Sequence, residues 1–200
     1  MHDFSLIFIL LSIIIYLIGF VPYIYHVFHG RVVPHPFTWT IGTILVSINT
    51  IQLWITEGIS IALISPVVRI IALTIGVSVG WYYISKIAIN RFDYICLCLA
   101  VIVILIACIF GISHAIIPTI CIDMLVMAPT LKKIWLNPHS EESLAWFTAG
   151  FSLFFLLCSM RVYTFESVIF WVYDMALNLG VAVFIIYRTR YMDQWTERVK

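Results

Sequence analysis

Long apolar runs separated by short polar breaks make up almost the whole sequence. A helix needs about 20 apolar residues to cross a bilayer, and most of the runs reach that length. The polar breaks fall at residues 30–35, 56–58, 86–93, 111–114, 132–142 and 161–166. They predict seven transmembrane helices, at residues 4–27, 35–56, 59–84, 93–111, 113–136, 143–161 and 165–187. The stretch from 94 to 135 is too long for one crossing, and the sequence GISH at 111–114 predicts the turn inside it.

The composition changes this picture only by excluding a soluble domain. Hydrophobic residues make up 63% of the chain and charged residues 10%, which is more apolar surface than a soluble domain can bury. The class is an all-α integral membrane protein whose main partner is the lipid bilayer. The first twenty residues lack a basic start and a small-residue cleavage site, so they predict a retained helix. The sequence predicts no nucleic-acid partner.

The lysines and arginines lie almost entirely on one side of the predicted bundle. The other side receives Arg161 alone, and Arg69 falls inside a span. The positive-inside rule then places the N-terminus outside and the C-terminus in the cytoplasm. The residues on the basic side are Arg31, Lys86, Arg91, Lys132, Lys133, Arg188, Arg190, Arg198 and Lys200. The histidines and acids at 26–35 and 139–142 are interpreted as solvated loop residues on that side.

An internal repeat relates the first three spans to the last three. The segment ALTIGVSV at 72–79 matches ALNLGVAV at 176–183, and Pro22 precedes Trp39 by the seventeen positions that separate Pro129 from Trp146. An unpaired fourth helix returns the chain, so the two triplets have the same orientation. This 3+1+3 layout of two parallel three-helix repeats places a substrate site between them, near the midplane. The predicted units are a first bundle (1–85), a linker helix (86–112), a second bundle (113–188) and a cytoplasmic tail (189–200).

Two stretches resemble the SWEET and PQ-loop superfamily: GFVPYIYHVFHGRVVPHPFTWTIG at 19–42 and APTLKKIWLNPHSEESLAWFTAG at 128–150. The resemblance implies a seven-helix transporter or, alternatively, a binding receptor of the KDEL-receptor type. It is strongest to small bacterial proteins of that group, which implies the bacterial inner (plasma) membrane. The PQ dipeptide itself is absent. Sugar transporters of the family carry Asn in both spans three and seven, whereas this chain has Asn178 but Thr74, so a sugar substrate is not implied.

Three ionisable residues lie deep in odd-numbered spans: Arg69, Asp123 and Asp174. Each costs about 2.5–3.5 kcal/mol at a helix centre and needs a partner or a water-filled cavity. Each lies nine or ten residues into its span, which places all three about 13–15 Å below the outer surface. They predict either a static ion pair or a cluster on the transport path. In the second case two carboxylates compete for one guanidinium, so Asp174 is expected to take up a proton while Asp123 pairs with Arg69.

Polar residues near this cluster are the candidates for substrate binding. Asn178 lies one turn from Asp174 and Thr74 is its counterpart, while Asn49 and Trp54 approach along span two. The alternatives are an interhelical hydrogen bond for Asn178 and a lipid-interface anchor for Trp54.

Pro22 and Pro129 occupy matching places in spans one and five. Each removes a backbone hydrogen bond and can kink its helix. They predict either a cytoplasmic gate or static kinks that help packing.

The pattern as a whole predicts a transporter of a small polar solute that works by alternating access between two bundles, with proton coupling or a preference for cations. The solute is a small molecule, and the sequence leaves open whether the chain forms a homo-oligomer. The alternatives are the KDEL-receptor-like receptor, in which an Arg/Asp cluster captures a charged ligand, and an intramembrane enzyme, which only the buried acids favour. No enzymatic activity is expected because no catalytic motif is present. No metal or cofactor is expected either, since the five cysteines lie in apolar runs without histidines at ligand spacing.

Overall fold

The computed structural model describes residues 2–32, 34–83, 91–110 and 116–199, and all regular structure within them is helical. Short 3₁₀ turns at Ile61–Leu63 and Pro138–Ser140 precede the third and sixth helices. The helices are α1 (His2–Phe28), α2 (Pro36–Glu57), α3 (Ile64–Tyr82), α4 (Arg91–Phe110), α5 (Ile116–Leu136), α6 (Ser143–Ser159) and α7 (Phe165–Val199).

A helix coincides with each of the seven apolar segments, and the ends agree within three residues apart from two. The third helix begins at Ile64, five residues later than predicted, because a 3₁₀ turn occupies Ile61–Leu63. At the C-terminal end, α7 continues past residue 187 to Val199. That extension, RTRYMDQWTERV, contains no Gly or Pro and several good helix formers, so nothing in it ends the helix. The predicted turn at 111–114 and the beginning of the predicted linker at 86–90 lie outside the described residues.

Three helices among the described residues are long and apolar enough to cross a membrane: Phe4–Phe28, Ile61–Tyr82 and Phe165–Gln194. The helix Ser143–Ser159 is equally apolar but shorter. Large apolar side chains form exposed stripes at helical spacing, as in Phe4, Ile7, Leu10, Ile14, Ile18 and Val21 of α1. An exposed apolar stripe of this size is unfavourable in water and suits lipid. The structure is therefore that of an all-helical, membrane-associated protein.

The helices pack around a centre from which α4 is excluded. The most extensive contacts are those of α1 with α6, α6 with α7, α2 with α3, and α4 with α5. Smaller contacts join α2 to α5, α1 to α3, and α5 to α7. The main contact of α4 is with α5, which places α4 at the periphery of the other six helices.

Two sets of polar contacts define the two ends of the bundle. At one end, a Glu57 carboxylate oxygen accepts hydrogen bonds from the backbone N–H groups of Arg161 (2.7 Å) and Val162 (3.2 Å). At the other end, His26 Nδ1 lies 2.8 Å from a carboxylate oxygen of Glu142. We call these ends the Glu57 side and the His26 side.

The buried apolar residues are distributed differently at the two ends. The largest cluster draws on α1, α2, α5, α6 and α7 and includes Leu53, Ala62 and Met160 at the Glu57 side. Toward the His26 side there are two separate clusters. One comes from α1, α3 and the segment after α1 (Tyr23, Val27, Val32, Val79), and the other from α5 and α7 (Met127, Ile134, Val181, Ile185).

Candidate functional site

A cavity of about 120 Å³ lies at the centre of the bundle. This exceeds several-fold the roughly 10–15 Å³ that one water molecule requires. Every helix except α4 contributes to the described wall. The wall is mainly apolar and aromatic, and its polar side chains include Tyr16, Thr38, Arg69, Asp123, Asp174 and Asn178. An apolar pocket with a few convergent polar groups is typical of a small-molecule site.

Arg69 is the cation of this cavity, and its guanidinium is bound on several sides. Nη1 donates a hydrogen bond to Asp174 Oδ2 at 2.7 Å. Nη2 donates to the backbone carbonyl of Ala149 at 2.6 Å and lies 3.4 Å from Ser152 Oγ. The guanidinium also lies over the ring of Tyr16, 4.9 Å from its centroid. These contacts tie α3 to α1, α6 and α7.

Asp174 is the partner of Arg69, which differs from the pairing expected from sequence. Asn178 Nδ2 donates to Asp174 Oδ1 at 2.6 Å and to the Asp174 backbone carbonyl at 2.7 Å. Both oxygens of the Asp174 carboxylate therefore have a donor. The sequence reasoning had paired Arg69 with Asp123. It could place the three residues at one depth, but depth does not specify which carboxylate faces the guanidinium.

Within the part of the chain that the structure describes, Asp123 is the cavity carboxylate without a cationic partner. It is only 9% exposed and lies on the cavity wall. The Tyr173 hydroxyl is close enough to interact with it electrostatically, but this buried hydroxyl makes no hydrogen bond of ordinary geometry. The cavity therefore holds one compensated ion pair and one additional acid.

Two tryptophans, Trp39 and Trp146, also line the cavity. Trp39 stacks on Tyr23 with a centroid separation of 5.2 Å and an interplanar angle of 22°. Gly76 of α3 permits this position, because a Cβ there would come within 2.1 Å of the Trp39 ring. The Trp146 indole makes no such ring stacking among the described residues, although its N–H lies 3.4 Å from Glu141.

Three predicted substrate-binding residues lie outside the cavity wall. Thr74 is exposed and donates its hydroxyl to the Ile70 carbonyl. Asn49 is buried but donates to the Leu45 carbonyl of its own helix, and Trp54 is 53% exposed. Of the four predicted residues, the structure brings only Asn178 to the cavity. Substrate contact by the other three stays a prediction.

Sequence reasoning missed several functional candidates. Tyr16, Trp39 and Trp146 are not among the predicted site residues, although the sequence contains a signal: the 107 positions between Pro22 and Pro129 also separate Tyr16 from Asp123 and Trp39 from Trp146.

The interpretation of the acids at 141–142 as solvated was wrong for the first of them. Glu141 is buried and its carboxylate forms an ion pair with Lys133. It also approaches the Trp146 N–H at the beginning of α6. Its neighbour Glu142 pairs with His26. A buried carboxylate needs such partners; those of Glu141 lie within eight residues of it, whereas the partner of Glu142 lies on α1.

The chain matches no protein-family model, no curated protein and no solved structure. What the cavity can bind follows from its own geometry and charge.

Proposed function

We propose that this protein is a transporter of a small polar solute that works by alternating access between two three-helix bundles. The observation that carries the proposal is a central cavity with buried charges, walled by equivalent positions of both repeats. In the proposed arrangement all seven helices cross the membrane in a 3+1+3 layout of the SWEET-like kind, with the N-terminus outside and the C-terminus in the cytoplasm of a bacterial cell. The protein is not an enzyme in this proposal.

The helix contacts support a two-fold relation between the bundles. If α1, α2 and α3 correspond to α5, α6 and α7, then the α2–α3 contact has its counterpart in α6–α7, and α1–α3 in α5–α7. The contact between the bundles follows the same rule, since α1 packs on α6 and α5 packs on α2. In each triplet the third helix lies between the other two. This is the packing expected of parallel repeats that face each other across a shared site.

The cavity wall supports the same relation at the level of single residues. Six pairs of wall positions are separated by the offsets of 107 or 104 residues that relate the repeats. The pairs are Tyr16 and Asp123, Phe20 and Met127, Thr38 and Ala145, Trp39 and Trp146, Gly42 and Ala149, and Leu73 and Leu177. The side chains differ in chemistry within most pairs. The proposed two-fold arrangement of helices therefore surrounds a cavity with an asymmetric lining.

The distribution of the apolar clusters supports alternating access. At the Glu57 side one cluster joins both bundles, whereas toward the His26 side each bundle has largely its own. The cavity extends toward the His26 side, since its wall includes Tyr23 and the first turn of α6 at Ala145 and Trp146. In this state the cavity is closed at the Glu57 side. In the proposed cycle the cavity then opens at the Glu57 side and closes at the His26 side.

Proton coupling is part of the proposal, and Asp123 is its carrier. Arg69 already compensates Asp174, so a proton is needed to neutralise Asp123 when the cavity is empty. The charged or titratable groups around it are Arg69 on α3, Tyr173 and Asp174 on α7, and Tyr16 on α1. This assigns to Asp123 the role that sequence reasoning had given to Asp174.

The experiment is a two-sided accessibility measurement with a cysteine inside the cavity. Gly42 lines the cavity, and a Cβ added there meets nothing within 4 Å, so Gly42→Cys in a cysteine-free background is expected to fold. A transporter exposes this cysteine to a small membrane-impermeant thiol reagent from both faces of sealed vesicles, right-side-out and inverted. A receptor of the KDEL-receptor type exposes it from one face only, and that result would reject the transporter proposal.

Two marker variants serve as controls for this measurement. Ile59 is 92% exposed at the Glu57 side, and the His139 side chain is 60% exposed at the His26 side. Ile59→Cys and His139→Cys are expected to react from opposite faces only. Reaction of both from the same face would contradict the proposed topology.

Pro22 and Pro129 are proposed to soften α1 and α5 at the points where the bundles rock. Each lies inside its helix, where proline removes a backbone hydrogen bond. Replacing either by alanine is expected to slow reaction of Gly42→Cys from the Glu57 side several-fold, with little change in thermal stability. Pro66→Ala is the matched control, because Pro66 lies in the first turn of α3, where no helical hydrogen bond is lost. Unchanged labelling rates in both variants would assign the prolines to packing.

A further inference from the structure

We propose that the solute is a small organic monocation, an ammonium group on an apolar body without a carboxylate. The inference rests on the proposed function in taking the central cavity as the solute site. It goes further by specifying the charge and polarity of what binds.

The charges of the cavity leave one carboxylate to be neutralised by a ligand. Arg69 and Asp174 form a direct ion pair, with 2.7 Å between Nη1 and Oδ2. Asn178 satisfies the second oxygen of Asp174. Asp123 is 9% exposed and lines the same cavity, and none of the described residues places a cation beside it. A buried carboxylate of this kind is stable when a positive charge reaches it, and a solute ammonium supplies that charge.

The bonding of Arg69 argues against a carboxylate on the solute. Its Nη1 donates to Asp174 and its Nη2 to the Ala149 carbonyl, while the guanidinium lies over Tyr16. Recognition of a carboxylate by arginine uses parallel N–H groups of one guanidinium, and here Nη1 already binds a carboxylate and Nη2 a carbonyl oxygen. A zwitterion would therefore bring a negative charge into a cavity where Arg69, the cation of the described wall, is already engaged and the uncompensated group, Asp123, is an acid.

The aromatic residues of the wall favour an apolar body around the ammonium. Trp146 belongs with Met127 to one apolar cluster, and Met127 lies one helical turn from Asp123. Its indole makes no ring stacking among the described residues, unlike Trp39, which is stacked on Tyr23. Tryptophan is the best of the aromatic side chains at attracting a cation to its ring. A carboxylate and an indole on one wall are complementary to an alkylammonium ion.

Three probes of similar shape separate charge from size. Choline carries the cation, 3,3-dimethylbutan-1-ol is its neutral carbon analogue, and betaine adds a carboxylate to the same trimethylammonium group. In calorimetric titrations of the purified full chain in detergent, choline is expected to bind at least about tenfold more tightly than either of the others.

The variant Asp123→Asn tests the assigned residue. It is expected to remove the preference for choline and to leave binding of dimethylbutanol unchanged. Asp193→Asn is the matched control, because it deletes the same charge at a side chain that is 60% exposed and lies at the C-terminal end of α7. This control is expected to keep the wild-type order of affinities. A thermal shift by choline in the wild type, absent in Asp123→Asn, supports the same conclusion if calorimetric signals are small.

Three results would overturn the inference. Binding of all three probes with equal affinity would mean that the cavity does not discriminate solutes by charge. The proposed transport function would stand. A choline preference that survives Asp123→Asn, or binding of none of the probes, would remove Asp123 from cation recognition. Two-sided labelling of Gly42→Cys needs no solute. It therefore tests the transport proposal independently of the proposal that the solute is a cation.

Discussion

Replacing Arg69 by alanine is expected to destabilise the protein by about 3–5 kcal/mol, the loss typical of breaking a buried ion pair on one side. Arg69 and Asp174 are 7% and 8% exposed, so each charge is compensated mainly by the other and only weakly by bulk solvent. The substitution leaves two buried acids, Asp174 and Asp123, on the wall of one cavity. It also removes the hydrogen bond that ties α3 to the Ala149 carbonyl of α6. The measurement is thermal unfolding of the detergent-solubilised chain.

Second-site variants identify which acid is the partner. Adding Asp174→Asn to Arg69→Ala removes the charge that lost its direct contact at 2.7 Å, so it is expected to restore much of the lost stability. Adding Asp123→Asn is expected to restore less, because Asp123 has no contact with the guanidinium. A greater rescue by Asp123→Asn would show that the pairing expected from sequence exists in the membrane. Equal stability of wild type and Arg69→Ala would mean that the buried pair adds nothing to stability.

Replacing Gly19 by valine is expected to separate α1 from α6, the most extensive helix contact in the bundle. A Cβ at this position would come within 1.8 Å of Thr148 Oγ1 and about 3.0 Å of the Ala145 Cα atom. The threonine side chain can rotate, but the backbone of α6 cannot move without disturbing the cavity wall at Ala145. Overpacking of this kind costs about 1–3 kcal/mol. The midpoint of thermal unfolding should fall accordingly, and reaction of Gly42→Cys should change in rate because the two bundles meet at this contact.

The control for Gly19→Val is Gly180→Ala on α7. A Cβ at Gly180 meets nothing within 4 Å, and alanine favours a helix over glycine by about 1 kcal/mol, so this variant is expected to be neutral or slightly stabilising. Combining Gly19→Ala with Thr148→Ala removes the nearest clash and should recover part of the stability lost in Gly19→Ala alone. If Gly19→Val unfolds at the wild-type temperature, α1 and α6 do not pack as closely as the structure has them.

The positions of the helices could be predicted from sequence because the signals are local. A polar or Gly/Pro-containing break interrupts an apolar run wherever the chain leaves the bundle, as at Gly58 and at residues 137–142. The C-terminal end of α7 was placed too early for a related reason. The sequence becomes polar after residue 187, which marks the end of the apolar run, but a helix can continue in water.

The residues that line the cavity were only partly predictable, because the depth of a residue in the membrane and the direction in which its side chain points are separate quantities. Counting residues along a helix places Arg69, Asp123 and Asp174 at one height. Direction follows from rotation by about 100° per residue. Asn178, four residues from Asp174, is rotated by about 40° and shares its face, whereas Thr74, five residues from Arg69, is rotated by about 140°. That rotation agrees with Thr74 being exposed while Arg69 is buried.

The sequence by itself determined that the chain forms seven helices and which of them carry buried charges, and it predicts which segments repeat. Each of these properties depends on neighbours within a turn or two, or on direct comparison of segments. Only the tertiary structure decided that Arg69 pairs with Asp174, that no described residue places a cation beside Asp123, and that Glu141 is buried beside Lys133. These contacts depend on how the helices are rotated and how far apart they lie. Arg69 and Asp174, for example, are more than a hundred residues apart in the chain. The rotation and separation of the helices result from packing contacts. Because Gly19 has no side chain, α1 can approach Thr148 of α6, and because Gly76 has none, the Trp39 indole can lie against α3.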